Sequence, residues 1–223
     1  MDATFLSLEG CDGSGKSTVA TALCRRLEEA GYRTRRFDPK RPSAEDPFIA
    51  SRLGAMSKLL WEGDSPEPRN LLSDYHWIYL SAAWFQIVDM HCLRPSLLRG
   101  DVVVADSWYH KLLARFMLKG EQLFEEARRC YASLSQPSLV CLLDVAPEEA
   151  AKRKDRYGYS ETGNFDGLSG ITRENFVAYQ TRVRKALSSL AQDGAWIKVD
   201  ATHGTADHIA EHLVDSVKGV LLP

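Results

Sequence analysis

Apolar positions along the 223-residue chain recur with two periods, and the switches between them mark out the elements. Phe5-Leu6-Ser7-Leu8 is a short apolar strand, after which Val19, Leu23, Leu27 and Ala30 return on one helical face. Gly31 ends that helix, and Tyr32 to Phe37 reads as a short, charged strand. A helix is expected from about Pro47 to Trp61, followed by a turn at Gly63-Asp64-Ser65-Pro66. From Asn70 to about Cys92, Leu71, Tyr75, Ile78, Ala82, Phe85 and Val88 predict one long amphipathic or nearly buried helix. His76, Trp77, Trp84 and His91 lie along it, as core or flank residues by ordinary burial habits.

Val102-Val103-Val104-Ala105-Asp106 and Leu139-Val140-Cys141-Leu142-Leu143-Asp144 are uninterrupted apolar runs that end in acids, the pattern of buried parallel strands. A helix or helix pair is expected from His110 to about Ser135, and Pro147-Glu148-Glu149 opens another. Phe176, Tyr179, Val183, Leu187 and Leu190 share a face of a helix from about Thr172. Ala195 to Val199 is a fifth strand, and Ile209, Leu213, Val217 and Val220 mark the last helix. Strands alternating with helices predict an α/β fold of three layers around a five-stranded parallel sheet, as one domain over 1–223.

The first switch of period contains Gly10-Cys11-Asp12-Gly13-Ser14-Gly15-Lys16-Ser17, which meets every requirement of a phosphate clamp between a strand and a helix. Its glycines permit positive φ, so that successive N–H groups converge on phosphate oxygens at the positive end of a helix. Gly10 to Thr18 is therefore the expected ATP-binding stretch, with Lys16 on the β- and γ-phosphates and the Ser17 hydroxyl on Mg²⁺. Asp106, at the end of its strand, is the expected second metal contact. Asp38, Lys40 and Arg41 follow another strand end, along the crevice where open parallel sheets bind ligands. Arg153, Lys154 and Arg156 stand at the root of a Gly-rich, structureless stretch, read as a short lid over about 153–170 that brings positive charge to a transferring phosphoryl group.

Charge and cysteine content narrow the setting. With 28 Lys and Arg against 30 Asp and Glu, no overall basic field argues for a nucleic-acid partner. Five cysteines without a CxxC pair argue against a disulfide framework and a zinc site, so a reducing, cytoplasmic setting is expected. No apolar run approaches the ~18 residues of a membrane span, and no cleaved leader is apparent. An Asn-Lys-x-Asp guanine reader is also missing.

Four pieces, in order and spacing, resemble the thymidylate kinase family of nucleoside monophosphate kinases over nearly the whole chain. They are Glu9 to Ser17; Arg94-Pro95-Ser96-Leu97-Leu98-Arg99-Gly100-Asp101 leading to Asp106; Arg153 to Arg156; and Phe176 to Arg184 ahead of Val199-Asp200-Ala201. The resemblance implies a P-loop kinase fold and Mg²⁺-dependent transfer of the ATP γ-phosphoryl group to a small acceptor. It implies an acceptor contact for Asp12, adenine near the loop after Asp200, and Arg153 and Arg156 as catalytic arginines alongside Lys16, because Gly13 follows the P-loop Asp where some members carry Arg. It also implies a homodimer face on the helix from Asn70 to Cys92, whose apolar residues would serve a monomer core equally well.

Departures from the family concern the acceptor. Ser107-Trp108 stands where the family usually has Arg-Tyr after the strand-end Asp, and Ala83-Trp84 where a thymine-reading Asp-Arg pair is usual. Asp38-Pro39-Lys40-Arg41 replaces Glu-Pro-Gly-Gly. The expected acceptor set is therefore Asp12, Asp38, Lys40, Arg41, Trp84, Arg94, Ser107 and Trp108. Lys40, Arg41 or Arg94 would replace the lost Arg if the acceptor is a nucleoside monophosphate. If it is a hydroxyl of a nucleoside or other polar metabolite, Asp38 would act as base. A non-catalytic nucleotide-binding regulator is the rival from another class.

Overall fold

The computed structural model describes residues 4–61, 71–192 and 195–221, the last two without their side chains at 220 and 221. The turn expected at Gly63-Asp64-Ser65-Pro66, the helix start at Asn70 and the side chain of Val220 lie outside the described residues. Five strands, β1 (Thr4–Glu9), β2 (Thr34–Phe37), β3 (Val102–Asp106), β4 (Leu139–Asp144) and β5 (Trp196–Asp200), form one parallel sheet in the order β2-β3-β1-β4-β5. Parallel neighbours require crossover connections, which the helices supply.

The alternation of side chains along β1 builds both faces. Leu6 and Leu8 join Val104, Cys141 and Leu143 in a core covered by α1 (Lys16–Glu29) and α9 (Ala206–Leu221). Phe5 points to the other face, where it meets Val103, Ala105, Phe85 and Trp108. That face is covered by α3 (Asp74–Val88), α5 (His110–Met117), α6 (Glu121–Tyr131) and α8 (Arg173–Leu190). Three further helices, α2 (Pro47–Leu60), α4 (Arg94–Leu98) and α7 (Pro147–Lys152), complete the α-helices among the described residues. The Phe85 and Trp108 rings meet edge to face at 4.9 Å, a contact worth about 1 kcal/mol beyond burial. Ser7 and Glu9 also lie on this face, fully buried, so the end of β1 carries polar groups into an apolar layer.

Two elements differ from their sequence expectation. The long helix does not run unbroken to Cys92: after α3 it opens into a π turn at Asp89–Leu93, where the Arg94 N–H bonds the Asp89 carbonyl five residues back. Pro95 lacks an N–H and its ring would clash with the carbonyl four residues before it, so the wider turn lets the chain continue into α4. The region from His110 resolves into the pair α5 and α6, separated by Gly120 at φ +123°.

The stretch after Arg153 is not structureless. Tyr159–Glu161 forms a 3₁₀ turn, Gly158 N–H donates to Glu161 Oε2 at 2.9 Å, and Asn164 bonds the Gly170 backbone through both amide atoms. Gln180 Nε2 from α8 donates to the Glu161 carbonyl at 2.8 Å, and Lys119 Nζ reaches the Phe165 carbonyl at 3.0 Å. Periodicity gave no warning because these bonds are made by side chains to backbone without a repeat. Gly163, at φ +73°, leaves room that a Cβ would lack: Tyr179 Cδ2 would lie 2.8 Å and Leu168 Cδ1 2.9 Å away. Gly163→Ala is expected to loosen this segment by roughly 1–2 kcal/mol. Hydrogen exchange should rise over 155–171 while the sheet keeps its protection, and unchanged exchange there would refute the steric reading.

Candidate active site

The glycines of the loop between β1 and α1 are required by contacts as well as by φ. A Cβ on Gly10 would meet the Leu143 carbonyl oxygen at 2.7 Å, and one on Gly13 the Ala150 carbonyl oxygen at 2.7 Å. Gly10, Gly13 and Gly15 take φ of 153°, 80° and 91°. Lys16 folds back over the loop: its ammonium donates to the carbonyls of Gly10 at 3.1 Å and Cys11 at 2.8 Å. Ser17 and Thr18 are exposed at the start of α1 and border an open groove of about 620 Å³ with Thr21, Arg25, Arg36 and Asp207. Cys11 is buried, and its thiol faces the Val145 carbonyl rather than the groove.

Asp106 stands beside Leu8 in the sheet register, two residues before Gly10. Its ion pair is with Arg36 Nη2 at 3.5 Å, and that arginine side chain is 43% exposed and free to turn away. The Asp106 carboxylate and the Ser17 hydroxyl would offer a metal ion two oxygens. Mg²⁺ suits such a set, because it takes its remaining ligands from water and phosphate.

Arg153 is brought to the loop as expected. Its guanidinium donates to the Ala201 and Thr202 carbonyls at 2.8 Å each and approaches the Ser14 carbonyl at 3.5 Å, so it bridges the glycine loop and the turn after β5. Arg156 is exposed and makes no hydrogen bond or ion pair with the described residues.

The expected acceptor residues separate. Lys40 and Arg41 border a cavity of about 390 Å³ with Ser43, Leu53, Gly54 and Trp84, and Lys40 Nζ lies 5.3 Å from the Trp61 ring centroid. Asp38 Oδ1 accepts the Lys40 N–H at 3.0 Å and shapes that turn. Trp84 is buried, with its indole N–H donated to the Pro39 carbonyl at 3.0 Å, so it braces the turn and presents only part of its surface to the cavity.

Three expectations are corrected. Arg94 sits at the amino ends of the strands, bonded to Asp89 Oδ2 at 2.8 Å and to the Ser133 carbonyl at 3.3 Å, across the sheet from the glycine loop. Trp108 lies in the aromatic core among Phe5, Phe37 and Phe85, its indole N–H bonded to the Ser135 carbonyl. Ser107 turns its hydroxyl to Glu9 Oε2 at 2.8 Å instead of to a ligand.

Glu9 explains that turn. Its buried carboxylate accepts from Ser7 Oγ at 2.9 Å, Ser107 Oγ at 2.8 Å and the Trp108 N–H at 2.8 Å, with His110 Nδ1 at 3.3 Å. Burial alone would raise its pKa, but the His110 ring, the Trp108 N–H and the Ser107 hydroxyl hold it below the usual carboxylate value. Ser107 adopts φ +71°, the left-handed region a serine seldom takes.

Two cations that periodicity did not single out complete the site. Lys111 and Arg115, one turn apart on α5, both reach Asp12: Lys111 Nζ bonds Oδ1, and Arg115 Nη2 lies 3.3 Å from Oδ2. Asp12 therefore has both oxygens engaged, in place of the free acceptor contact the resemblance implied, and its N–H donates to Gln180 Oε1 at 2.9 Å. Burial would raise the Asp12 pKa, yet Lys111, Arg115, Lys16 and Lys40 drive it far below the usual range. Lys111 is lowered to about 7 by burial and by Lys16, Arg115 and Lys40, against the pull of Asp12. The spacing of Lys111 and Arg115 on one helical face just after Asp106 was the available signal.

An all-parallel sheet of this order, a glycine loop after β1, a carboxylate closing β3 and an arginine bonded to the loop's rim define a P-loop small-molecule kinase. No family model matches the chain. It is 27% identical to the thymidylate kinase of Halothermothrix orenii, with all of both chains aligned, and 26% identical to that of Idiomarina loihiensis over 93% of each. It is 30% identical to a probable thymidylate kinase of Archaeoglobus fulgidus, covering 89% of this chain and 87% of the relative. The chain belongs to the thymidylate kinase family and is an ATP-dependent small-molecule kinase.

The lowered Lys111 pKa has a thermodynamic sign. The folded state releases this proton near pH 7 and the unfolded state only near ~10.4, so the unfolded chain binds more protons between them. The stability penalty is full below pH 7 and lifts as pH rises through that window. In urea unfolding at pH 7, 8 and 9, the stability of the native chain relative to Lys111→Met should rise by up to about 1.4 kcal/mol per pH unit. A flat difference would place Lys111 in the ordinary lysine range.

Proposed function

We propose that this protein transfers the γ-phosphoryl group of ATP to a nucleoside monophosphate, as a single P-loop domain whose lid spans about 153–170. What supports the assignment is one convergence, the glycine loop Gly10–Ser17 lying between the Asp106 carboxylate and the lid-root Arg153. Relatives named thymidylate kinase over nearly their whole length support the acceptor class.

Gly10 to Thr18 hold the donor phosphates by backbone N–H groups, and Lys16 exchanges the Gly10 and Cys11 carbonyls for phosphate oxygens. Arg153 fixes the wall between loop and adenine side, and Arg156, without a partner among the described residues, turns inward to the charge that develops on the transferring group. Ser17 and Asp106 hold Mg²⁺, which supplies charge neutralisation on the phosphates. Asp38 shapes the acceptor turn, since an acceptor phosphate is already anionic and needs no base. The acceptor enters beside Lys40 and Arg41. Five free thiols suit a reducing compartment, and the cytoplasm is the proposed setting.

The test offers nucleosides, nucleoside monophosphates and amino sugars in parallel, with ATP and Mg²⁺, and follows ADP release. Release with a nucleoside monophosphate is expected. Release only with a nucleoside or sugar would move the proposal to a hydroxyl kinase, and tight ATP binding with no turnover on any acceptor would make the protein a regulator. Lys16→Met should lower kcat at least about a hundredfold without changing the melting temperature by more than a few degrees.

A further inference from the structure

The acceptor phosphate lacks its usual arginine here, because Ser107 occupies that position and its hydroxyl is committed to Glu9. Positive charge has accumulated instead on α5. Lys111 and Arg115 are only 12% and 19% exposed in their side chains, and both face Asp12, beside the phosphate loop. Lys16 and Lys40 are near enough to act on the same carboxylate. Lys111 and Arg115 thus bring two buried cations to one acid, an excess that the site relieves by taking a further anion or by releasing the Lys111 proton.

Asp166 and Glu161 act on Arg115 through their charge but bond other cations. Asp166 is paired with Lys119 at 2.8 Å, and Glu161 with Lys154 at 3.1 Å and the Gly158 N–H. Tyr179 offers the Arg115 guanidinium a ring face at 5.7 Å, a weak counterweight, and burial pushes its phenol up, away from ionisation. Arg115 Nε is buried without a hydrogen-bond partner, so the guanidinium retains an unused donor beside its Asp12 contact. An arginine held by one carboxylate oxygen, with donors to spare, matches the bidentate geometry of a phosphate or carboxylate.

We propose, resting on the nucleotide kinase assignment, that Lys111 and Arg115 together form the site that receives the anionic group of the acceptor, in the role that Ser107 cannot fill. Asp12 acts as a positioning residue: it holds the two cations apart and aimed, and yields part of its contact when the anion arrives. The acceptor is therefore recognised as an anion from the α5 side, and Lys40 extends the same field toward the cavity beside Trp84.

Steady-state kinetics on Arg115→Met and Lys111→Met test this. With the best nucleoside monophosphate from the acceptor screen, KM for the acceptor should rise at least about tenfold in each variant, and KM for ATP should stay within about twofold. Lys111→Arg, which keeps the charge, should recover most of the loss. Equal rises in both KM values, or no rise for the acceptor, would overturn the proposal. A binding arm is independent of turnover: inorganic phosphate is titrated calorimetrically into protein saturated with ADP and Mg²⁺, so that the glycine loop is filled. Binding that weakens about tenfold in Arg115→Met supports the site even if no nucleoside monophosphate is a substrate, which would count against the kinase assignment alone. Binding equal in native and variant protein, or absent from both, refutes the anion site. Melting temperatures within a few degrees of the native chain establish that the variants fold.

Discussion

A single buried carboxylate, Glu9, ties the phosphate loop to the opposite half of the site. It ends β1 immediately before Gly10, and through the Trp108 N–H and the Ser107 hydroxyl it fixes the turn that leaves β3. A buried acid is costly unless every lone pair finds a donor, and Ser7, Ser107, Trp108 and His110 provide them. Ser107 bears positive φ in consequence. Strain of that kind persists only when the surroundings over-determine the conformation, and here the constraint comes from Glu9 on one side and the buried Trp108 ring on the other.

From that turn the rest of the acceptor side follows. The direction in which α5 departs decides where Lys111 and Arg115 can reach, and both reach Asp12, three residues beyond Glu9 in sequence. The same segment of chain therefore carries two carboxylates with opposite duties. Glu9 is satisfied by neutral donors and the His110 ring and serves as a rigid joint, whereas Asp12 sits between two buried cations and serves as a counter-ion. An overall charge of −2 conceals this arrangement entirely, because the excess is local and the compensating acids lie elsewhere.

What sequence revealed and what it hid divides along the range of the interactions. The phosphate loop was legible because its contacts are made within one strand, one turn and one helix, and the five strands because buried parallel strands are continuously apolar. The packed lid was not, since Asn164, Lys119 and Gln180 act on backbone groups that no pattern indicates. Arg94 was misplaced for a related reason: a helix that runs toward the amino ends of the strands carries Arg94 away from the crevice, and only the strand direction reveals that. Ser107 and Trp108 were noticed as substitutions, but the partner that claims them, Glu9, lies some hundred residues earlier.

Lys16 and Arg153 now bear on how the site is held ready. Both use carbonyls of the loop and its surroundings as partners, Lys16 those of Gly10 and Cys11, Arg153 those of Ser14, Ala201 and Thr202. Carbonyl oxygens are weaker partners for a cation than phosphate oxygens, which carry full charge. The two cations differ in what they join. Lys16 makes its contacts within one short loop, whereas Arg153 spans two segments and ties the turn after β5 to the loop. Gln180 performs the matching task on the other side, accepting the Asp12 N–H and donating to the Glu161 carbonyl of the lid. The glycine loop is thus tied directly to both the β5 turn and the lid, and a shift of its backbone is transmitted to each through one side chain.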